Sequence, residues 1–520
     1  MLLLEKIKNH AKLHPSRIAM ESNGQILTYA ELDCKSDIIA SWIINNFGTD
    51  KTPVVVYGHK STYMLLCFIG CVKAGRGYCP LDISISQQRA EEIITTVNPP
   101  VIFATEDINS ICNNNSGEEK FHLGTHTKIL DLNMIKNIVD KNEINKELLN
   151  SNESIGNPLN WVKGNDTFYI LFTSGSTGKP KGVEITADNL INFTKWSSTL
   201  VQDKPSVWMN QAPFSFDLSV MDLYTCLFRG DSLWSLNKET QLDISKLFES
   251  FNQSQISNWV STPSFAELCL SDQLFNENLL PQLDTFLFCG EALQNKTAIK
   301  LLDRFPKAKV INTYGPTEST VAVTSIEITK ELATQVNPLP IGNTKPGTKI
   351  NIVDEYGNIL EDGKEGEIII LGDTVAKGYF RDQNRTEQVF HRDASPSYKT
   401  GDKGTWKNGM LYCLGRLDNQ IKLHGYRIEL GDIENNLLKL PGVNGAACLP
   451  KYKDGSIASL TAFVANNDKS KGTYQDRKAI KEGLREFLPE YMVPKKIVFM
   501  DSLPMTSNGK IDRKKLSEVV

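Results

Sequence analysis

Ten consecutive residues, Thr173-Ser-Gly-Ser-Thr-Gly-Lys-Pro-Lys-Gly182, bring together the means of holding a phosphate. Gly175, Gly178 and Gly182 let the backbone come close, Thr173, Ser174, Ser176 and Thr177 carry hydroxyls, and Lys179 and Lys181 supply positive charge. Backbone N–H groups and hydroxyls converging in such a loop form a nest for an anion. The spacing is not that of a Walker loop, and Ser174 rather than glycine stands two places before Ser176, so it is not a nucleophile elbow either. The plain alternative is a flexible linker, but linkers rarely lie between apolar strands or carry Lys-Pro-Lys. Single carboxylates stand out as well. Asp217 sits in an apolar and aromatic run, Phe214-Ser-Phe-Asp-Leu-Ser-Val-Met221, where an unpaired carboxylate is costly. A bound ammonium, an internal salt bridge or a helix N-cap would each satisfy it. Asp402, after Thr400-Gly401, has two oxygens that can accept from a pair of hydroxyls, or else it serves a turn. On composition alone Lys510, in Asn508-Gly509-Lys510, is a solvated lysine near Arg513, Lys514 and Lys515.

The elements that must position these residues follow an α/β rhythm. Phe168–Phe172 and Val183–Ile185 predict strands on either side of the glycine-rich loop. Upstream, Pro53–Tyr57 reads as a strand, Ser61–Lys73 as a helix and Ala74-Gly75 as its stop, the order of parallel α/β units. The alternation resumes from Thr167 to about Leu371. From Gly347, short β segments with turn signals (Lys349–Val353, Tyr356-Gly357-Asn358, Gly366–Leu371, Asn408-Gly409) predict a compact β layer. Beyond Gly415-Arg416-Leu417-Asp418 the remaining chain predicts a smaller α+β unit. Residues 109–160, rich in Asn, Lys and Glu, predict a solvated excursion that is helical around 128–149, with no chemistry assigned.

Composition narrows the classes. The 520 residues carry 57 Lys+Arg against 61 Asp+Glu, a net charge of −4, which argues against general nucleic-acid binding. The 40% hydrophobic and 23% charged fractions are those of an ordinary globular protein. Its ten cysteines form no C-x-x-C pair, so the expectation is free thiols in a reducing cytosol rather than zinc or disulfides. Met1-Leu-Leu-Leu-Glu5-Lys6 is too short a run for a signal peptide, and the longest apolar stretch, Met64–Val72, is about half a membrane span. A cytoplasmic protein with no nucleic-acid partner and no stable membrane insertion is expected.

At the glycine-rich loop the chain resembles the adenylate-forming superfamily of amino-acid adenylation domains, acyl-CoA synthetases and luciferases. Further motifs follow in that family's order. They are Leu27-Thr-Tyr-Ala-Glu-Leu32, Lys73-Ala-Gly-Arg-Gly-Tyr-Cys-Pro-Leu-Asp82, Phe214-Ser-Phe-Asp-Leu-Ser219 and Asn312-Thr-Tyr-Gly-Pro-Thr-Glu318. Gly366-Glu-Ile-Ile-Ile370, Val375-Ala-Lys-Gly-Tyr379, Tyr398-Lys-Thr-Gly-Asp402, the segment Gly415–Glu429 and Asn508-Gly-Lys-Ile-Asp-Arg513 complete the series. The resemblance implies an α/β fold with a large N-terminal α/β and β-layer region, residues 1–417, that binds ATP and amino acid. It also implies a small mobile C-terminal α+β lid, residues 418–520, hinged at Asp418. By the same resemblance, ATP is contacted by Thr173, Ser174, Gly175, Ser176, Thr177, Gly178, Lys181, Glu291, Asn312, Tyr314, Gly315, Thr317, Asp402, Arg416 and Lys510. Lys510 is then the catalytic cation on the transferring phosphate, Glu318 the Mg2+ ligand and Asp217 the partner of a substrate ammonium.

Pro213–Tyr224, Val260–Phe265, Thr285–Glu291 and Ile421–Tyr426 are similar to the branch of the family that loads D-alanine onto a carrier protein. Cys289 stands where many adenylation domains have glycine, and His424 where they usually have arginine. A side chain at Cys289 would fill the pocket floor and leave room for little beyond a methyl group, although simple core packing is open for it. Val321 is a second pocket candidate. The resemblance thus implies an AMP-forming ligase that makes D-alanyl-AMP from ATP·Mg2+ and D-alanine. Transfer to the phosphopantetheine thiol of a D-alanyl carrier protein, for teichoic acid D-alanylation, would follow. Activation of glycine or L-alanine, a short-chain acyl-CoA synthetase, and a non-enzymatic binding module are the alternatives. Asp217 speaks against the second, since acetate and fatty acids bring no ammonium.

Overall fold

The short apolar runs Val54–Tyr57 and Val101–Ala104 are buried at every side chain, as strands covered on both faces must be. The computed structural model describes residues 2–109, 127–140, 157–175, 179–392, 395–418, 420–453, 456–466, 472–505 and 511–519. Among these residues the strands form two large sheets, of nine and seven strands, and three smaller ones. The nine-stranded sheet is parallel from Lys309–Tyr314 through Thr285–Phe288, Asn258–Ser261, Val207–Asn210 and Ser232–Ser235 to Ile18–Ser22, and closes with antiparallel strands at both edges. In the seven-stranded sheet, Thr167–Thr173 pairs parallel with Tyr78–Leu81 and antiparallel with Lys181–Thr186, so the glycine-rich loop is the connection of a hairpin at the sheet's end.

Two helices explain how the large sheets share one core. Thr62–Lys73 starts at Ser61, whose side chain accepts from the Tyr63 N–H, and eleven of its twelve residues are buried. Leu218–Arg229 buries ten of twelve. Helices that are apolar on all sides belong inside a protein. Both contribute to one hydrophobic cluster that also takes Val54 and Val56 from one sheet and Leu233, Val260 and Leu287 from the other.

An antiparallel layer follows, with Thr348–Val353, Gly366–Gly372, Ser397–Lys407 and Met410–Arg416 as its main strands. After Arg416 the chain enters a hairpin, Gln420–Leu423 with Tyr426–Glu429. Its turn residues, His424 and Gly425, have φ of 52° and 82°, the sign pattern of the tight turn that matches strand twist. A three-stranded sheet (Gly445–Lys453, Ser456–Ala465, Lys496–Met500) and the helices Leu430–Leu437 and Tyr474–Phe487 complete this C-terminal part. It has its own core cluster, running in sequence from Ile421 to Ile497. Within the predicted excursion, Leu132–Asp140 is a helix; residues 110–126 and 141–156 lie outside the described residues. The described cysteines are all free, and no described helix is long and apolar enough to cross a membrane.

Candidate active site

A cavity of about 740 Å³ opens where the C-terminal ends of the parallel strands meet the C-terminal hairpin. Its walls come from the glycine-rich loop (Thr173, Ser174), from Asp217, Cys289, Gly315, Thr317, Val321, Asp402 and Arg416, and from Lys422, Gly425 and Arg427 across the gap. Ligand crevices at such strand ends are the rule for open α/β sheets. In the loop, a Cβ on Gly175 would fall 2.3 Å from the Lys179 carbonyl oxygen, so the chain can double back there only with glycine. The Thr173 hydroxyl is buried with no hydrogen-bond partner among the described residues, on a residue that lines the cavity.

Asp217 occupies the position just before the helix Leu218–Arg229, yet its side chain makes no capping hydrogen bond. No lysine or arginine nitrogen among the described residues lies within ion-pairing distance of it; its bond is from the Thr317 hydroxyl, at 2.6 Å. Both ordinary uses of this carboxylate, cap and internal salt bridge, are therefore absent among the described residues. Burial pushes the Asp217 carboxyl up from its usual range, although the Thr317 hydroxyl and then the Lys422 charge pull the other way. The loop carrying it is held from behind by Lys60, wholly buried, whose ammonium donates to the carbonyl oxygens of Asn210, Gln211 and Leu236 at 2.9, 2.5 and 2.9 Å. Cys289 and Val321 touch beside Asp217 on the cavity wall, the Cys289 thiol donating to the Val321 carbonyl at 3.6 Å. Val321 and Thr320 have φ of 69° and 60°, strained values for β-branched residues. Gly315 permits that fold-back, since a Cβ on it would lie 2.6 Å from the Ala322 Cα.

Asp402 accepts from Arg416 at 2.8 Å and from the Tyr314 hydroxyl at 2.5 Å, so these three sequence-predicted residues form one cluster. Asp418 forks onto the same Arg416, at 2.9 and 2.6 Å, and accepts from the Gln420 N–H where the chain enters the hairpin. Glu318, with no exposed surface, takes Arg427 on one carboxylate oxygen at 2.6 Å and the Tyr379 hydroxyl on the other at 2.8 Å. Lys181 stands 3.4 Å from that second oxygen. Burial alone would raise the Glu318 carboxyl, but Arg427 and then Lys181 outweigh it and hold it well below the usual carboxylate range. Burial, followed by Arg427, lowers the Lys181 ammonium to about 8. With both oxygens of Glu318 facing cations, this arrangement does not fit a divalent ion. Nor do the described residues contain a cluster of three or more His, Cys, Asp or Glu that would hold one.

The hairpin enters the site through its backbone as well. Gly425 N–H donates to Glu291 at 2.9 Å, and the Ser174 hydroxyl donates to the Arg427 carbonyl at 2.6 Å. A Cβ on Gly425 would fall 2.4 Å from the Thr262 methyl. Tyr426 packs edge-on against Phe216 and stacks on Tyr491 with ring centroids 3.6 Å apart. Farther out, Arg89, on the helix Gln87–Val97, pairs with buried Asp432 at 3.3 Å, and Ser86 donates to the Phe487 carbonyl.

Asn312 does not join the cavity wall: its amide holds the Pro340 carbonyl at 2.9 Å inside the sheet. Ser176, Thr177, Gly178 and Lys510 lie outside the described residues. The flanks of the last, Met505 and Ile511, pair with each other, and no described residue of 496–505 or 511–519 lines the cavity. Sequence reasoning did not single out Lys60, Tyr379 or Arg427 as site residues. Arg427 carried only a weak signal, a charged residue between Tyr426 and buried Ile428 in a strand that also holds Glu429; Lys60 carried none, because its three acceptors lie 150 or more positions away.

Residues 7–380 match the model of the AMP-binding enzyme family, and residues 432–510 that of the AMP-binding enzyme C-terminal domain. The D-alanine--D-alanyl carrier protein ligase of Bacillus licheniformis is 44% identical over 524 residues, covering 100% of both chains. That of Listeria monocytogenes is 43% identical over 527 residues, covering 100% of this chain and 99% of its own. Among solved structures, the Vibrio cholerae adenylation domain AlmE in complex with glycyl-adenosine-5'-phosphate superposes with a TM-score of 0.81 at 22% identity, covering 99% of this chain and 97% of that one. A nonribosomal peptide synthetase protein with adenylation and carrier domains, PA1221, gives 0.80 at 23% identity, covering 100% and 84%. At such identities the two structures speak for the fold.

Proposed function

We propose, from the premise that this chain belongs to the AMP-binding enzyme family, that it activates D-alanine with ATP and passes the D-alanyl group to a carrier-protein thiol. It is an AMP-forming ligase with the adenylate-forming α/β fold. Full-length identity of 43–44% to D-alanine--D-alanyl carrier protein ligases supports this substrate and acceptor. The observation that carries the reading is Asp217: a carboxylate on the cavity wall that forms no ion pair among the described residues, with Lys422 acting on it only from across the cavity, next to a wall where Cys289 and Val321 meet. An amino acid with a methyl side chain meets both conditions, because its ammonium pairs with Asp217 and its methyl needs no space beyond the thiol.

In the first step a carboxylate oxygen of D-alanine attacks the α-phosphorus of ATP and pyrophosphate leaves. Asp402, Arg416 and Tyr314 hold the ribose and adenine side, and the loop from Thr173 holds the phosphates. Lys510 brings positive charge to the transferring phosphoryl group, where a placed cation lowers the barrier by several kcal/mol. In the second step the phosphopantetheine sulfur attacks the acyl carbon and AMP leaves with its bonding electrons, the thiol proton passing to solvent. The C-terminal unit, divided from the rest at 417/418 and turning about Asp418, serves the steps in turn. Mg2+ belongs to this reading only with the hairpin swung away, since Glu318 is otherwise taken. A cytoplasmic setting and a supply of D-alanine for teichoic acids complete the proposal.

Mass spectrometry of a phosphopantetheine-loaded D-alanyl carrier protein, incubated with the chain, ATP and D-alanine, tests the acceptor. A gain of one alanyl group on the carrier and none on coenzyme A is the expected result. Acylation of coenzyme A alone would move the chain to the acyl-CoA synthetases.

A further inference from the structure

We infer that Lys60, Asn210 and Asp222 form a buried clamp that fixes Asp217 on the cavity wall, so that recognition of the substrate ammonium depends on three residues the substrate never touches. The inference deepens the ligase reading and takes its substrate from it. Asn210 ends the strand Val207–Asn210, and the helix Leu218–Arg229 starts directly after Asp217. One side-chain bond closes the intervening loop at its base: the Asn210 amide donates to the Asp222 carboxylate, inside the helix, at 2.9 Å. The same amide reaches the Ala212 carbonyl at 3.3 Å, and its oxygen accepts from the Ser235 hydroxyl at 2.8 Å. Lys60, brought by the segment after Val54–Tyr57, ties the Asn210 and Gln211 carbonyls of this loop to the Leu236 carbonyl of the next. Ser22 in turn holds the Lys60 carbonyl at 2.7 Å. Lys60, Asn210 and Asp222 are buried and none of them lines the cavity, so they act through Asp217 as positioning residues.

The chemistry of the clamp is unfavourable for a core. Burial lowers the Lys60 ammonium to about 7, with Asp222 and then Asp82 pulling the other way. Three carbonyls satisfy its N–H bonds, but among the described residues one Asp222 oxygen is buried with no hydrogen-bond partner. Apolar side chains of similar volume would pack here without that cost. What they would not supply is direction: hydrogen bonds between fixed atoms set the loop's exit from the sheet, whereas apolar contacts permit sliding. The Asp217 side chain has one hydrogen bond of its own, from Thr317, so its place is inherited from the loop base. A displacement of about 1 Å at a reacting site can cost roughly 10²-fold in rate.

A double-mutant cycle with Asp217 tests the clamp, read as D-alanine-dependent ATP–pyrophosphate exchange. Lys60→Met, Asn210→Ser and Asp222→Leu are each expected to lower kcat/KM for D-alanine at least about tenfold, while the KM for ATP moves by less than about threefold. On an Asp217→Ala background the same changes are expected to cost less than about twofold, because nothing is left to position. Asp222→Asn keeps an oxygen for the Asn210 amide and is expected to recover most of what Asp222→Leu loses. Equal losses with and without Asp217, parallel losses for ATP, or no recovery in Asp222→Asn would overturn the inference. Asn210→Ser removes no charge and carries the cycle where the charge-removing variants fail to fold. No exchange with D-alanine in the unaltered chain would instead defeat the ligase reading. Hydrogen exchange of residues 211–217 then decides the clamp without substrate. Asn210→Ser is expected to quicken it at least about tenfold with Val101–Ala104 unchanged, and an unchanged rate at 211–217 would overturn the clamp.

Discussion

At the scale of single residues the account depends on Asp217. Its carboxylate has a hydroxyl partner and no ion pair among the described residues, and it caps nothing. Asp217→Ala is expected to lower kcat/KM for D-alanine by roughly 10²-fold, the order of a lost charge-assisted pair, while the KM for ATP shifts by less than about threefold. Steady-state kinetics with each substrate varied in turn makes the comparison, and equal losses for both would mean a structural aspartate. The residue was legible beforehand because a charge inside Phe214–Met221 violates the apolar pattern around it. Its partner Thr317, 100 positions away, was not, since the resemblance had turned that hydroxyl toward phosphate. The contact with Asp217 exists only because Gly315 and the strained pair Thr320–Val321 fold the loop back.

At the scale of elements, one surface joins the C-terminal unit to the rest. Asp432, on the helix Leu430–Leu437, is buried against Arg89 of the helix Gln87–Val97. Burial raises its carboxyl to about 6 although Arg89 pulls the other way. The folded value exceeds the unfolded one, so the folded chain holds this proton more tightly. The stability it contributes is full below about pH 4 and is lost as pH rises through about 6. Asp432→Asn removes the titration. Its unfolding free energy relative to the unaltered chain is expected to improve by up to about 3 kcal/mol between pH 4 and 6.5, measured by urea denaturation at each pH. A difference independent of pH would contradict the burial argument. Elements of the N-terminal region were legible from period and turn signals: Val54–Tyr57, Thr62–Lys73 and Gly366–Gly372 lie within a residue of their expected limits. The surface itself was not, because Arg89 and Asp432 are 343 positions apart and no local pattern links them.

At the scale of the whole molecule, the hairpin Gln420–Glu429 faces the cavity while no described residue flanking Lys510 does. On the proposed mechanism this is the arrangement for thiol attack, and adenylate formation requires another. Lys510→Ala is therefore expected to slow D-alanyl-AMP formation by roughly 10²- to 10³-fold. Transfer from chemically supplied D-alanyl-AMP to the carrier should stay within about tenfold, because the proposed mechanism withdraws Lys510 for that step. Rapid-quench assays of the two half-reactions separate them, and parallel losses would remove the lysine's assigned role. The two-part organisation was visible in the motif order, whereas which face the small unit presents depends on contacts that form only after folding, such as Gly425 against Thr262.

The most direct test of the central claim is amino-acid-dependent ATP–pyrophosphate exchange, run side by side with D-alanine, L-alanine, glycine and acetate. The account predicts strong exchange with D-alanine, weaker exchange with glycine and L-alanine, and none above background with acetate. Exchange driven by acetate, or equal for all four, would contradict the pairing of Asp217 with a substrate ammonium and with it the proposed activity.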